Sequence, residues 1–394
     1  MNGNKRVILH LTFDGILFDR VFTTFEQMET YENRYLLGEL GNKKPLQYIK
    51  NTEKLIRVDT IEEWKKVVSD PQVDIIYLHG LWNDYLKAVD CIGDHVVVMW
   101  WCYGMEIYEN VLAWPPLLPQ KLYKPRTHWY ALTHLGNLHN FTAELSYTVP
   151  KLYIMMIKIF YFIKGRKGDG LKRILSRIDL ISTPLDREFL ELKKNNPTIK
   201  AKQFKLQRKI KRELLEVHNE AGNILIEHSA NLTNNHLDLI AAINKKKISL
   251  ENRDVFIPLS YGDKKLAKRV KEKSVFIGSK VHCLMESLPF NEYTEMMSGC
   301  THAVFGMLRQ SGLGNIHLCF QKGIKVFLFK DSILYKQFKS EGYHVFSIED
   351  DLSNNSISVP LSNGQAVDNY ELFYKLNEPV DTFQQQFDNI INNN

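Results

Sequence analysis

Short apolar runs closed by turn residues alternate along the whole chain with stretches whose apolar positions recur at helical spacing. In the first half this pattern predicts buried strands at Arg6–Phe13, Asp74–His79, His95–Trp100 and Asp179–Thr183, with helices at Ile61–Ser69 and Leu185–Asn195. The second half repeats it with strands at Asn223–Glu227, Val255–Leu259, Val275–Gly278, Ala303–Met307, Lys325–Phe329 and Val345–Ile348. A helix at Ile316–Gln321 is stopped by Gly323, and Asp381–Ile391 reads as a final helix. The expected class is α/β with two doubly wound units, 1–215 and 216–380, and a tail, 381–394, that returns to the first unit. The boundary falls in the basic stretch between Lys205 and Glu220.

The candidate chemistry sits in strand-to-helix turns of the second half. After the strand ending near Met307 come Arg309, Gln310, Gly312, Gly314 and Asn315. A guanidinium at a helix mouth, with glycines that let backbone N–H groups approach, is a way to hold a diphosphate. Two more turns are rich in small polar residues, one carrying Ser229, Asn231 and Asn234, the other Ser260, Tyr261 and Gly262. Ligands of open parallel sheets bind where such turns converge. The plainer role for Thr233, Asn234 and Asp263 is helix capping, with Thr233 or Asn234 capping the helix that holds Leu237, Ile240 and Ala241.

The run Ile224 to His236, the turn Pro258 to Gly262, the segment Glu286 to Tyr293 and the Arg309-Gln310-x-Gly-x-Gly loop resemble the TDP-N-acetylfucosamine:lipid II N-acetylfucosaminyltransferases. The likeness is densest over about 220 to 350, and in the first half rests on Leu78 to Trp82 and Trp100 to Glu109. There the family pattern Trp-Gly-x-Asp-x-Tyr is met with Tyr103 for the tryptophan and Glu106 for the aspartate, departures that bear on donor and acceptor more than on reaction class. The resemblance implies the GT-B architecture, two Rossmann-like domains facing a cleft. It also implies transfer of a dideoxy amino sugar from a nucleotide diphosphate to a polyprenyl-diphosphate-linked saccharide in bacterial surface-glycan assembly. On this reading Ser229, Asn231, Asn234, Ser260, Tyr261, Gly262, Glu286, Tyr293, Arg309, Gln310, Gly312, Gly314 and Asn315 contact the donor.

Composition and charge narrow the setting. With 44% hydrophobic residues over 394 positions the chain can bury two cores, and it is no disordered scaffold. The five cysteines are scattered without a Cys-x-x-Cys pair, and no apolar leader precedes the first strand, so reduced thiols, a cytoplasmic location and no zinc are expected. His128, His134 and His139 lack metal-ligand spacing, no Asp-x-Asp strand end is present, and a metal-independent hexosyltransferase without cofactor is expected. Asp350 and Asp351 are expected to cap the turn that follows their strand. Between Lys151 and Arg177, eight cations face one acid, Asp169, around the apolar stretch Leu152 to Ile163. Twelve residues fall short of the roughly 20 a membrane span needs. This segment is therefore expected either to lie on the inner face of the cytoplasmic membrane or to be a core helix with a basic edge. No nucleic-acid motif accompanies the charge.

For the base that takes the acceptor proton, Glu106 is the first candidate and His79 the second. A helix-capping role for Glu106 and a packing role for His79 are the alternatives. So are, at the level of the whole protein, a sugar-nucleotide epimerase and an inactive assembly partner.

Overall fold

The computed structural model describes residues 5–15, 18–38, 45–82, 85–87, 89–109, 116–134, 155–156, 159, 169–212, 214–250 and 253–394. The chain forms two compact units, Met1–Pro119 with Leu145–Arg208 and Pro379–Asn394, and Gln120–Glu144 with Lys209–Glu378.

The first unit is built on β1 (Arg6–Thr12), β2 (Tyr31–Leu37), β3 (Leu55–Ile56), β4 (Val73–His79), β5 (Val97–Trp101), β6 (Leu180–Ser182) and β7 (Lys202–Gln203), in the order β3-β2-β1-β4-β5-β6-β7. All pairings among them are parallel. Covered parallel strands read as continuous apolar runs, which is why Ile8, Leu9, Ile76 and Leu78 are fully buried. Helices α1 (Phe18–Phe25), α2 (Ile61–Val68), α3 (Met105–Tyr108), α5 (Asp169–Arg177) and α6 (Asp186–Asn195) belong to this unit. So does the last helix, α14 (Phe383–Asn392), whose Phe387 is buried against Phe25, Tyr31 and Tyr77.

The second unit carries β8 (Asn223–Ile226), β9 (Val255–Pro258), β10 (Val281–Leu284), β11 (Cys300–Phe305), β12 (Lys325–Leu328) and β13 (Val345–Ser347), ordered β10-β9-β8-β11-β12-β13 and again parallel. Its helices are α4 (Pro125–His134), α7 (His236–Lys245), α8 (Lys264–Ser274), α9 (Phe290–Ser298), α10 (Leu313–Gln321), α11 (Ile333–Glu341), α12 (Asn354–Ile357) and α13 (Asn363–Asn377). Strand order reverses direction between β1 and β4 in the first sheet and between β8 and β11 in the second. At such switch points the loops on the two sides diverge and leave room for a ligand outside the carboxyl ends.

Four sequence expectations are corrected. The strand expected at Val275–Gly278 lies instead at Val281–Leu284, and Val275 and Phe276 are exposed. The helix expected from Ile316 begins at Leu313, one residue after Gly312 turns into the left-handed region. Neither Thr233 nor Asn234 caps α7: both lie in a 3-10 turn, and Asn235 precedes the helix. Finally α4, expected in the first unit, belongs to the second, because the Asp238 carboxylate of α7 accepts the backbone N–H groups of Arg126 and Thr127 at 3.0 and 2.8 Å.

Candidate functional site

At the switch point of the second sheet, three loops are tied to one another. Ala230 N donates to Tyr261 O at 2.7 Å and Asp263 N to Ala230 O at 2.9 Å, joining the loops after β8 and β9. Asn235 Nδ2 donates to Gly306 O at 2.9 Å, joining the loop after β8 to that after β11. The glycines serve this closeness. A Cβ at Gly262 would stand 2.4 Å from Ala230 O, and one at Gly306 2.5 Å from Asn234 O. Asp263 caps α8 by accepting Leu266 N.

Sequence reasoning passed over the centre of this arrangement, Glu227 and His228. Glu227 is fully buried with φ of 62°, a conformation a non-glycine residue adopts only when its surroundings compel it. One carboxylate oxygen accepts Gly306 N, and the other lies 3.3 Å from His228 Nδ1. That second contact falls short of hydrogen-bond alignment. Burial pushes the Glu227 pKa up, with His228 and Gly306 N opposing. On its far side the His228 ring reaches Ser311, Nε2 to Oγ at 3.3 Å, and its Cε1 and Nδ1 fill the space a side chain at Gly312 would need. The positive φ at Glu227 was the missed signal, and it is a property of the backbone.

The chain then enters α10. Gly312, with φ of 62°, offers no side-chain cap to the first turn of this nine-residue helix. Nothing stands within 4 Å of a Cβ placed on Gly314, so this turn lies open. Arg309 and Gln310 are buried, and Arg309 Nη1 donates to Gln310 O at 2.8 Å. Asn315 Oδ1 accepts the Tyr293 hydroxyl at 2.6 Å, which brings α9 to the same helix mouth. Ser229 and Asn234 are buried together, Asn234 Nδ2 donating to Ser229 Oγ at 3.1 Å, while Asn231 is half-buried. Ser260, Tyr261, Gly262 and Glu286 are exposed. Among the described residues Thr233 Oγ1, Asn234 Oδ1 and both ring nitrogens of His236 are buried without a hydrogen-bond partner. Such orphans are rare in finished cores and common where a ligand completes the set. Burial, with His228 adding, pushes the His236 pKa down to about 3.

The first sheet has its own cluster at the β1/β4 switch point. Asn33 Nδ2 donates to Phe25 O, which fixes its amide and turns Oδ1 toward His10 Nε2 at 3.0 Å. His10 Nε2 therefore carries the proton, and His10 Nδ1 accepts from His79 Nε2 at 3.0 Å. Burial holds His10 down at about 4 and His79 well below its ordinary value, so both rings are neutral. The lone pair of His79 is then on Nδ1. Glu106, at the start of α3, is 1% exposed. Its Oε1 accepts Tyr103 N at 2.9 Å and Trp100 Nε1 at 3.3 Å, and burial raises its pKa against these bonds. Above them Phe13 meets Trp82 and Tyr103 edge to face, with centroids 4.9 and 5.9 Å apart. Gly80, at φ of 74°, turns the chain beneath this group, and Trp82 Nε1 donates to His79 O. Phe13 was not singled out from sequence, and Trp82 only as part of the run Leu78 to Trp82.

Some expectations fall elsewhere. Leu152 to Ile163 lies outside the described residues apart from Met155, Met156 and Ile159, each about half exposed. Among the described residues no helix is long and apolar enough to cross a membrane, and no group of three or more His, Cys, Asp or Glu could hold a metal ion.

Solved structures with the same fold include sucrose-phosphate synthase from Thermosynechococcus elongatus, with a TM-score of 0.61 at 10% identity over 99% of both chains. The apo lipopolysaccharide outer core galactosyltransferase WaaB gives 0.60 at 11% identity, and a glycosyltransferase from Rickettsia africae ESF-5 gives 0.56 at 9%, both over 99% of each chain. At these identities the likeness concerns the fold, which is that of GT-B glycosyltransferases. The family model described as 4-alpha-L-fucosyltransferase glycosyl transferase group 56 matches residues 171–389, more than half of the chain. The chain belongs to that family, and is a glycosyltransferase built from two parallel-sheet α/β domains.

Proposed function

We propose that the protein moves a deoxy amino sugar from a TDP-linked donor to a polyprenyl-diphosphate-linked saccharide on the inner face of the cytoplasmic membrane, as a step of bacterial surface-polysaccharide assembly. The observation that carries this reading is the uncapped start of α10, flanked by Arg309, His228 and the open Gly314 at the switch point of the second sheet. An anion of diphosphate size suits that place, because the first N–H groups of the helix, its dipole and a guanidinium act on it together. Tyr293, Asn315, Ser229, Asn231, Asn234, Gln310, Ser260, Tyr261, Gly262 and Glu286 would surround the nucleotide and sugar. The leaving diphosphate is then stabilised without a metal ion, and a chelator leaves turnover unchanged.

On the first sheet, the rings of Phe13, Trp82 and Tyr103 suit the faces of a neutral saccharide. Glu106 is the proposed base: burial raises its pKa toward the range in which a carboxylate accepts a proton usefully. His79 is the second candidate through Nδ1. The apolar and basic segment 151–177 would hold the protein at the membrane.

Incubation with nucleotide sugars, with and without a polyprenyl-linked acceptor, tests the reading. Glycosylated lipid formed only when both substrates are present is the expected result. Donor isomerised in the absence of acceptor identifies an epimerase, and no turnover of any donor identifies a non-catalytic assembly partner.

A further inference from the structure

The apolar run that sequence assigns to a strand ends α8 at the surface instead, leaving Val275 66% and Phe276 65% exposed. Helix α8 itself carries Lys264, Lys265, Lys268, Arg269, Lys271 and Lys273 against one acid, Glu272. It buries Leu266, Ala267 and Val270, so the cations lie along its outer side. Among the described residues only Arg269 of these has an ion pair, with Glu272 at 3.2 Å. Beside it runs a groove of about 630 Å³ between α4 and α8, floored by Leu237 and Ile240 of α7. Arg126, Arg269 and Lys273 edge this groove, and Trp129, 67% exposed, and Phe276 form its two lips.

We propose that this face of the second unit docks on an anionic phospholipid bilayer. The cations of α8 and Arg126 meet lipid phosphates, while Trp129, Val275 and Phe276 enter the interface and the groove takes apolar chain. Charge complementarity selects the partner: a row of cations, of which among the described residues only Arg269 has an ion pair, contributes attraction to an anionic leaflet, and exposed aromatic lips add burial that a purely polar polyanion does not reward. None of these side chains is among those proposed to hold the donor. Binding is read without donor or acceptor, so its outcome is independent of the transferase reading.

The test is flotation of the full chain with phosphatidylcholine vesicles, with and without phosphatidylglycerol. Wild type is expected to float with the anionic vesicles and to be released as NaCl rises from about 0.1 to about 1 M, where the screening length falls from ~10 to ~3 Å. Lys268→Gln with Lys271→Gln should lower partitioning about 25-fold, roughly fivefold per cation, and the Lys→Arg pair should restore it. Trp129→Ser with Phe276→Ser should lower it by about tenfold or more. All four side chains are exposed, so melting temperature and turnover on a short-chain soluble acceptor should be retained. Equal binding to neutral vesicles, binding unchanged in both double variants, or retention on duplex DNA with none on vesicles would overturn the proposal. So would a loss seen only when Ile154, Ile157 and Phe160 become Ser, since attachment would then belong to the 151–177 segment alone.

Discussion

The carboxyl edges of the two sheets occupy equivalent topological positions and are furnished in opposite ways. At β1/β4 the protein gathers aromatic rings and two neutral histidines and buries Glu106 under N–H donors. At β8/β11 it gathers glycines, an uncapped helix start, a guanidinium and a buried Glu227–His228 contact. The first edge keeps its histidines neutral and Glu106 buried, with the Arg208 guanidinium near enough to act on His79 and Tyr103, so it can hold a sugar hydroxyl beside a base. The second sets a guanidinium beside a helix start without a side-chain cap, so it can hold a leaving diphosphate. On the proposed function, two copies of one fold divide a transfer reaction by where each keeps charge.

The largest expected effect tests the chemistry of the first edge. Glu106→Gln keeps the shape and removes the charge, so kcat should fall by roughly 10² to 10⁴ with donor KM nearly unchanged. The base works deprotonated, and the pKa of Glu106 is raised above the ordinary 4.5. Activity is therefore lost as pH falls through that raised value, and the variant should lack this acid limb. His79→Ala should cost much less in kcat. If Glu106→Gln retains kcat and His79→Ala does not, the base is His79. A melting curve for each variant separates lost chemistry from lost fold.

Next comes the second edge. Arg309→Ala should weaken TDP binding by about 1.5 to 3 kcal/mol, the scale of charged hydrogen bonds, as read by calorimetry. Unchanged affinity in a folded variant would take Arg309 out of the site and leave the helix start as the anion holder.

How far these two edges were legible in sequence depends on what each signal is made of. Strands β1, β4, β8 and β11 were readable because covered parallel strands must be apolar throughout. Strand β2 was not: Tyr31-Glu32-Asn33-Arg34 looks like a loop, and Asn33 is tolerated inside only because it bonds His10 and Phe25 O. Val275 and Phe276 misled for the opposite reason, being apolar at the surface. The segment Gln120–Lys124 and α4 could not be assigned to the second unit from local pattern, since Asn235 and Asp238, more than a hundred residues away, anchor them. The donor loops were legible as glycine-rich turns, yet the reason for Gly262 and Gly306 is loop-to-loop contact, which no single segment reveals.

A smaller effect concerns the residue pair that only the backbone exposed. Glu227→Gln should preserve the contact with Gly306 N while removing a buried charge. The raised pKa means the folded state favours the protonated acid, so Glu227 costs stability increasingly as pH rises from its unfolded value through its folded one. The variant should therefore melt higher than wild type at neutral pH. TDP binding should weaken a few-fold, up to about tenfold, the scale of one hydrogen bond, because His228 loses its carboxyl neighbour. A variant that melts lower would show the carboxylate to be a structural tie instead of a positioning group.

The smallest effect separates the two glycines at the mouth of α10. Gly312 sits at φ of 62° with His228 ring atoms 2.7 Å from any Cβ, so Gly312→Ala must strain the backbone and displace the imidazole. About 1 to 2 kcal/mol of stability should be lost from the backbone alone. Gly314 lies inside the helix with open space before it, so Gly314→Ala should stabilise the fold by roughly 0.5 to 1 kcal/mol. If the space before Gly314 is where phosphate oxygens meet the N–H groups, its methyl nevertheless lowers TDP affinity while melting temperature rises. Opposite movement of the two readouts is the expected signature, measured by thermal melts and calorimetry on the same preparation. Affinity rising together with stability would place the diphosphate away from Gly314 and toward the Arg309 side of the loop.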